Sequence, residues 1–193
     1  MADVNSLIVI DTKKGEVVEK YIEPVSSSGL NDVSISADGT VYVSASFVHS
    51  IFKLNDDRLE IWSQDEEKLK WANGLIANDK QIWVAGLNLS IIDVDSKKIT
   101  KIELNSQIKD FDGMVTDGIG GYFLTTVENS GLFHINEQKN ITKLIDDTVY
   151  FGDLDFIPNC KKLYIPRGSK KTNEFFITVL SVEQELLTKN KQN

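Results

Sequence analysis

A phrase that recurs about every 40 residues constrains this chain more than any other feature. It reads "LNDVSISADGTVYVSA", "WANGLIANDKQIWVAG", "DFDGMVTDGIGGYFLTT" and "FGDLDFIPNCKKLYIP". Its anchors are the dipeptides Asn31-Asp32, Asn73-Gly74, Asp112-Gly113 and Gly152-Asp153. Such a period suits either a β-propeller blade or a pair of solenoid helices. The segments "TVYVSA", "QIWVAG", "GYFLTT" and "KLYIPR" are short, rich in β-branched and aromatic residues, and bounded by Gly, Asp or Asn. They read as strands. No comparable long stretch carries the apolar spacing of a helix face, so a helical solenoid is disfavoured.

A second motif lies between these strand pairs: "SLIVIDTKKGEVVEKY", "SIFKLNDDRLEIWS", "LSIIDVDSKKITKIEL" and "GLFHINEQKNITKLI". Each joins two alternating strands through a polar turn, which is a hairpin signal. Together the motifs give four antiparallel strands per unit, one propeller blade. The expected fold is all-β, a β-propeller holding about four to five blades' worth of a six-bladed ring. The propeller is expected over residues 1–182, with an outer hairpin at 6–22 and units starting near 31, 73, 112 and 152. Residues 183–193 read as a solvated tail. "EFFITVL" supplies the last unit with a third strand, so the N-terminal hairpin and this strand compete for one place in any four-bladed ring. An incomplete ring, with "MADV" as the end of a cut strand, is the expectation.

Composition excludes several roles. Hydrophobic residues make up 41% of the 193, enough for a sizeable core. A formal net charge of -8 offers no basic stripe for nucleic acid and no attraction to anionic membranes. No apolar run reaches the roughly 18 residues of a transmembrane helix, so no membrane insertion is expected. The N-terminal residues carry no secretory leader pattern; the compartment stays open, since a parent with further N-terminal sequence could be exported. Cys160 is the single cysteine, which rules out an internal disulfide.

In a propeller, the loop leading into each blade's innermost strand sits at one mouth of the channel. Asn31, Asn73, Asp112 and Asp153 occupy that loop in their own units. Carboxylate and amide oxygens suit a hard divalent cation such as Ca²⁺ or Mg²⁺, and Asp112 could also take a proton from water. Asn, Asp and Gly equally suit turns, because they tolerate left-handed backbone and bond to their own main chain. Both readings stand at this level.

The phrases "LNDVSISADGTVYVS", "WANGLIANDKQIWVAG" and "FDGMVTDGIGGYFLTT" resemble those of the senescence-marker-protein/gluconolactonase family, six-bladed propellers related in fold to strictosidine synthase. The resemblance extends over nearly the whole chain. It implies a metal-dependent hydrolase of sugar lactones, with Asn73 and Asp112 as ligands of a divalent metal (Ca²⁺, or Mg²⁺, Zn²⁺ or Mn²⁺). It further implies Asp112 as general base and Asn31 as a substrate contact. Trp71, two residues before Asn73, is a candidate for the substrate pocket. The family's third protein ligand, a Glu, has no counterpart here, and Ala72 and Phe111 stand where a Pro is usual. The chain taken alone is therefore expected to be inactive, whereas a longer parent could be a lactonase. The alternative is a non-catalytic propeller that binds a small molecule or a protein through the same mouth. His49 and His134 read as surface or packing residues, Trp62 and Trp83 as inter-blade packing, and "DGIGG" as a hairpin turn.

Overall fold

The computed structural model describes residues 1–104, 107–128, 130–169 and 171–182, so the expected tail at 183–193 lies outside the described residues. Two compact units, Met1–Ile102 and Glu103–Asn193, divide the chain.

The first unit holds three antiparallel sheets. Strands β1 (Ala2–Asp3), β2 (Ser6–Asp11) and β3 (Glu16–Ile22) form the first, and β2 and β3 are the expected N-terminal hairpin. The second sheet runs β4 (Leu30–Ile35), β5 (Val41–Ala45), β6 (Ser50–Asn55) and β7 (Arg58–Gln64) in spatial order. The third runs β8 (Leu75–Ala77), β9 (Gln81–Val84), β10 (Ser90–Asp93) and β11 (Ile99–Lys101). Up-and-down order with short turns is what four sequential hairpin-linked strands produce.

Asx chemistry makes the tight turn between the first two strands of these blades. Asp38 accepts hydrogen bonds from the Ser36 hydroxyl and the Thr40 N–H, with Gly39 in left-handed backbone. These bonds, the Ser36 hydroxyl foremost, hold the Asp38 carboxyl down at about 2. Asn78 does the same work by accepting from the N–H groups of Lys80 and Gln81.

β5 explains why the second strands carry so little polar alternation. Tyr42 packs into one core cluster with Ile51, Leu69, Ile82 and Ile92, while its neighbour Val43 packs into another with Leu7, Leu30, Phe52 and Leu59. Successive side chains of a strand point to opposite faces. A blade covered on both faces therefore needs apolar residues at both parities, and Tyr42 to Ala45 are all buried.

The second unit holds two sheets. The first is β12 (Phe111–Thr116), β13 (Tyr122–Thr126), β14 (Gly131–Ile135) and β15 (Ile141–Asp146), again in order. The second comprises β16 (Tyr150–Phe151), β17 (Asp155–Ile157), β18 (Lys162–Ser169) and β19 (Glu174–Ser181). β16 and β17 lie along one side of β18 and β19 along the other. The gap between β16 and β17 faces Pro166, which has no N–H to give the ladder; Gly152 still donates to the Pro166 carbonyl at 2.8 Å. The core of this unit gathers Phe123, Leu132, Phe151, Phe156, Leu163 and Ile165. Full burial of each such side chain contributes roughly 1.5–3 kcal/mol.

"DGIGG" is the β12–β13 turn, as expected. Asp117 accepts from the N–H groups of Ile119 and Gly121 through one oxygen, and its other oxygen lies 2.9 Å from His134 Nε2. Both side chains are 1% exposed, so His134 is a packing residue whose polar edge this carboxylate satisfies.

Candidate functional site

Two of the recurring dipeptides, Asn31-Asp32 and Asp112-Gly113, are β-bulges. In β4 the register with β5 slips between Leu30 and Val33, so Asn31 and Asp32 together face Ser44. In β12 the slip falls between Phe111 and Met114, so Asp112 and Gly113 face Thr125. A bulge leaves one residue without a ladder partner and re-aims its neighbours. A hydroxyl fills each gap: Ser44 Oγ accepts the Asp32 N–H at 2.9 Å, and Thr125 Oγ1 accepts the Gly113 N–H at 2.9 Å. Thr125 also donates to the Gly152 carbonyl of the following blade at 2.9 Å. The residue two positions before Asn31, Asn73 and Asp112 has positive φ: Gly29 at 64°, Trp71 at 55° and Asp110 at 63°. A left-handed residue followed by a bulge is thus the local geometry behind the repeat in β4 and β12.

In the second unit this geometry places Asp112 in the wall of the blade end, 8% exposed. Tyr150 donates its hydroxyl to Asp112 Oδ2 at 2.6 Å. Burial, then the bond to Asp112 and its charge, hold the Tyr150 phenol well above its ordinary pKa, so it stays a donor. Asp153 stands close by: a Cβ on Gly113 would strike its carboxyl and Cα. Only glycine fits at that bulge position. Asp153 is exposed as a residue, yet protein atoms crowd its carboxyl, and this desolvation raises its pKa. The Leu154 N–H opposes the rise, while the charges of Asp112 and Asp155 add to it. Asp110 is raised as well, by burial first and then by repulsion from Glu128.

In the first unit, Asn31 is exposed and donates to Ser46 Oγ at 3.2 Å; Ser46 in turn donates to the Ala72 carbonyl at 2.6 Å. That chain ties Asn31 to the residue preceding Asn73, which is half-buried. Asp32, beside Asn31, is a strut between blades: its carboxylate accepts the Leu75 N–H at 2.7 Å. Trp71 is 45% exposed and packs edge-on against Phe47 and His49, with ring centroids 6.2 and 5.5 Å apart. Its N–H donates to His49 Nδ1 at 3.3 Å. His49 is therefore part of the Trp71 surroundings, closer to the candidate residues than its place beside the outer hairpin suggests. A bulky side chain in left-handed backbone costs about 1–3 kcal/mol and marks sites where geometry is held for a purpose.

The structure brings Asp112 and Asp153 together in one unit and ties Asn31 to the Asn73 turn in the other. The sequence reading misses Tyr150, Ser44 and Thr125. The signal for the last two is the small hydroxyl residue in "VYVSA" and "YFLTT", 12 positions after Asp32 and Gly113. Among the described residues no group of three or more His, Cys, Asp or Glu side chains is arranged to hold a metal ion.

No protein-family model and no curated protein matches the chain. Solved structures do. Catalytically inactive virginiamycin B lyase from Staphylococcus aureus, with quinupristin, aligns at a TM-score of 0.72 and 12% identity over 93% of this chain and 60% of that one. A streptogramin B lyase aligns at 0.66 and 16% identity over 93% and 63%. A chain of the nidogen/laminin complex aligns at 0.70 and 11% identity over 94% and 76%. The fold is a β-propeller. At these identities the likeness extends to the propeller architecture alone, and the chain spans 60–63% of the two lyases. Within the propeller, the five sheets are its blades and the Asp112 bulge lies in the fourth.

Proposed function

We propose that this propeller supplies Asp112 as the general base of a longer parent that hydrolyses small lactones or esters, in the manner of the senescence-marker-protein/gluconolactonase family that its phrases resemble. The supporting observation is the Asp112–Tyr150 pair: a carboxylate set in a bulge, nearly buried, with one oxygen held by a phenol that remains protonated. Asp112 takes a proton from water as the water oxygen bonds to the carbonyl carbon. The ring C–O bond then breaks, and the leaving alkoxide recovers that proton, so lactone and water become a hydroxy acid. Tyr150 positions the carboxylate; general-base catalysis of this kind contributes about 10²–10⁴-fold.

A divalent cation, when bound, would polarise the carbonyl. Asp112 is the ligand that the second unit offers it, with Asp153 beside it. Two carboxylates supply only part of the six or more oxygens that Ca²⁺ takes. Asn73 and Asn31 keep, in the first unit, the metal and substrate duties that the resemblance gives them, and Trp71 that of a substrate contact.

The test is turnover of a panel of lactones and aryl esters by the longer parent, with added Ca²⁺ and with chelator. Asp112→Asn should lower the rate by about 10²-fold or more with an unchanged circular dichroism spectrum. Equal rates in the variant reject the assignment, and a panel without any turnover leaves the propeller a binding module.

A further inference from the structure

Ten non-glycine residues among the described ones have positive φ. Eight are Ser, Asp, Asn or Lys. The other two carry rings, His49 at 52° and Trp71 at 55°, and those rings meet with centroids 5.5 Å apart. Left-handed backbone is costly under a bulky side chain and persists where the surroundings hold it. Here they do. A Cβ on Gly86 would lie 2.9 Å from the Lys70 and Trp71 carbonyl oxygens, so only bare backbone fits against the Trp71 turn. Phe47, on the short 3₁₀ turn Ser46–Val48, lays its ring where a Cβ on Gly29 would be. Phe47 and Trp71 are nonetheless 59% and 45% exposed. The Trp71 plane crosses that of Phe47 at 86° and that of His49 at 83°, so neither neighbour lies flat over the indole. Single exposed apolar residues are ordinary; rings held together in strained backbone at one blade end are not.

Two polar atoms stand at this cluster. His49 Nδ1 faces the Trp71 N–H and also lies 3.0 Å from the Ser46 carbonyl oxygen. The first contact needs a bare Nδ1 and the second a protonated one, so the two belong to different tautomers. Nε2 has no partner among the described residues, and it is a donor in one tautomer and an acceptor in the other. A hydroxyl group matches both. Asn31 spends its Nδ2 on Ser46 Oγ, which leaves its Oδ1 an acceptor without a partner among the described residues. Ser46 precedes Phe47 and bonds the carbonyl of Ala72, which follows Trp71, so this amide adjoins the rings.

We propose that this cluster is a carbohydrate-binding platform. A sugar ring carries both chemistries that the cluster presents. Its face of C–H bonds, slightly positive, suits the negative face of the indole, with Phe47 beside it. Its rim of hydroxyls pairs with His49 Nε2 in either tautomer and donates to Asn31 Oδ1. A quaternary ammonium would suit the rings, but it has no hydrogen to give Asn31 and no acceptor for His49. The platform shares Trp71 and Asn31 with the hydrolase reading yet needs no carbonyl carbon, so it takes glycosides that nothing here hydrolyses.

Binding is measured by saturation-transfer NMR on the full chain, a method suited to weak ligands. The probes are the methyl glycosides of glucose, galactose and mannose. Glycerol supplies hydroxyls without a ring, and tetramethylammonium supplies a cation. At least one glycoside should give a saturable signal, strongest on the C–H protons of one ring face, and bind about tenfold tighter than glycerol or the cation. Trp71→Gly suits the left-handed backbone, so its circular dichroism spectrum should be unchanged while glycoside binding weakens about tenfold. Phe47→Ser, at an exposed position, should weaken it about threefold and decides the matter if the glycine variant does not fold. His49→Asn, also tolerant of left-handed backbone, should cost about threefold through the lost ring nitrogen. No saturable signal from any glycoside, tighter binding of tetramethylammonium, or glycoside binding that survives both Trp71→Gly and Phe47→Ser would each overturn the platform. Glycoside binding with no lactone turnover by the longer parent overturns the hydrolase reading alone. Turnover by that parent with no glycoside binding overturns the platform alone.

Discussion

Thr125→Val is the sharpest test of the bulge. Thr125 is fully buried, and its hydroxyl is both acceptor for the Gly113 N–H and donor to the Gly152 carbonyl. Valine keeps the shape and removes both bonds. Each of the two buried groups left unmatched costs about 1–3 kcal/mol, so the second unit should lose about 2–6 kcal/mol. With a urea dependence of about 2 kcal/mol per molar, its midpoint falls by about 1–3 M. Thr125→Ser is the control: it keeps the hydroxyl and loses one methyl, about 1 kcal/mol. Far-UV circular dichroism is the right probe, because Trp62, Trp71 and Trp83 all lie in the first unit. The bulge also aims Asp112, so turnover should fall by about tenfold or more in the valine variant, since small misplacements of a reacting group are expensive. A valine variant as stable as the serine one would show that the hydroxyl does not hold the bulge.

Asp117→Ala removes the acceptor for Ile119, Gly121 and His134 together. Stability should drop by about 3–5 kcal/mol, read by urea titration, and a loss below about 1 kcal/mol would refute the network. Burial first, then the charges of Asp112 and Asp155, raises the Asp153 carboxyl above its ordinary pKa. Its stabilising contribution is thus present below the ordinary pKa and lost as pH rises through the raised one. Asp153→Asn should raise the melting temperature at pH ~7 and change it little below pH ~4; an equal gain at both would exclude titration as the cause.

Most of the blade plan is legible in the chain. Period, hairpin spacing and β-branched content are local properties, and the strands lie where the phrases put them. The candidate site is legible only in part. Asp112, Asn31 and Asn73 share a phrase, so repetition exposes them. Tyr150 belongs to no repeated phrase, and its partner Asp112 is 38 residues away.

The sequence by itself determined the kind of element, the number of units and the turn chemistry, because periodicity and backbone preference act between near neighbours. Tertiary structure alone decided that Asn-Asp and Asp-Gly are bulges rather than turns. A bulge is defined by what faces it on the paired strand, and the hydroxyls of Ser44 and Thr125 reach that place only once the strands are in register. It likewise decided that Gly113 must stay bare, since the space for its side chain is filled by Asp153 from the next blade.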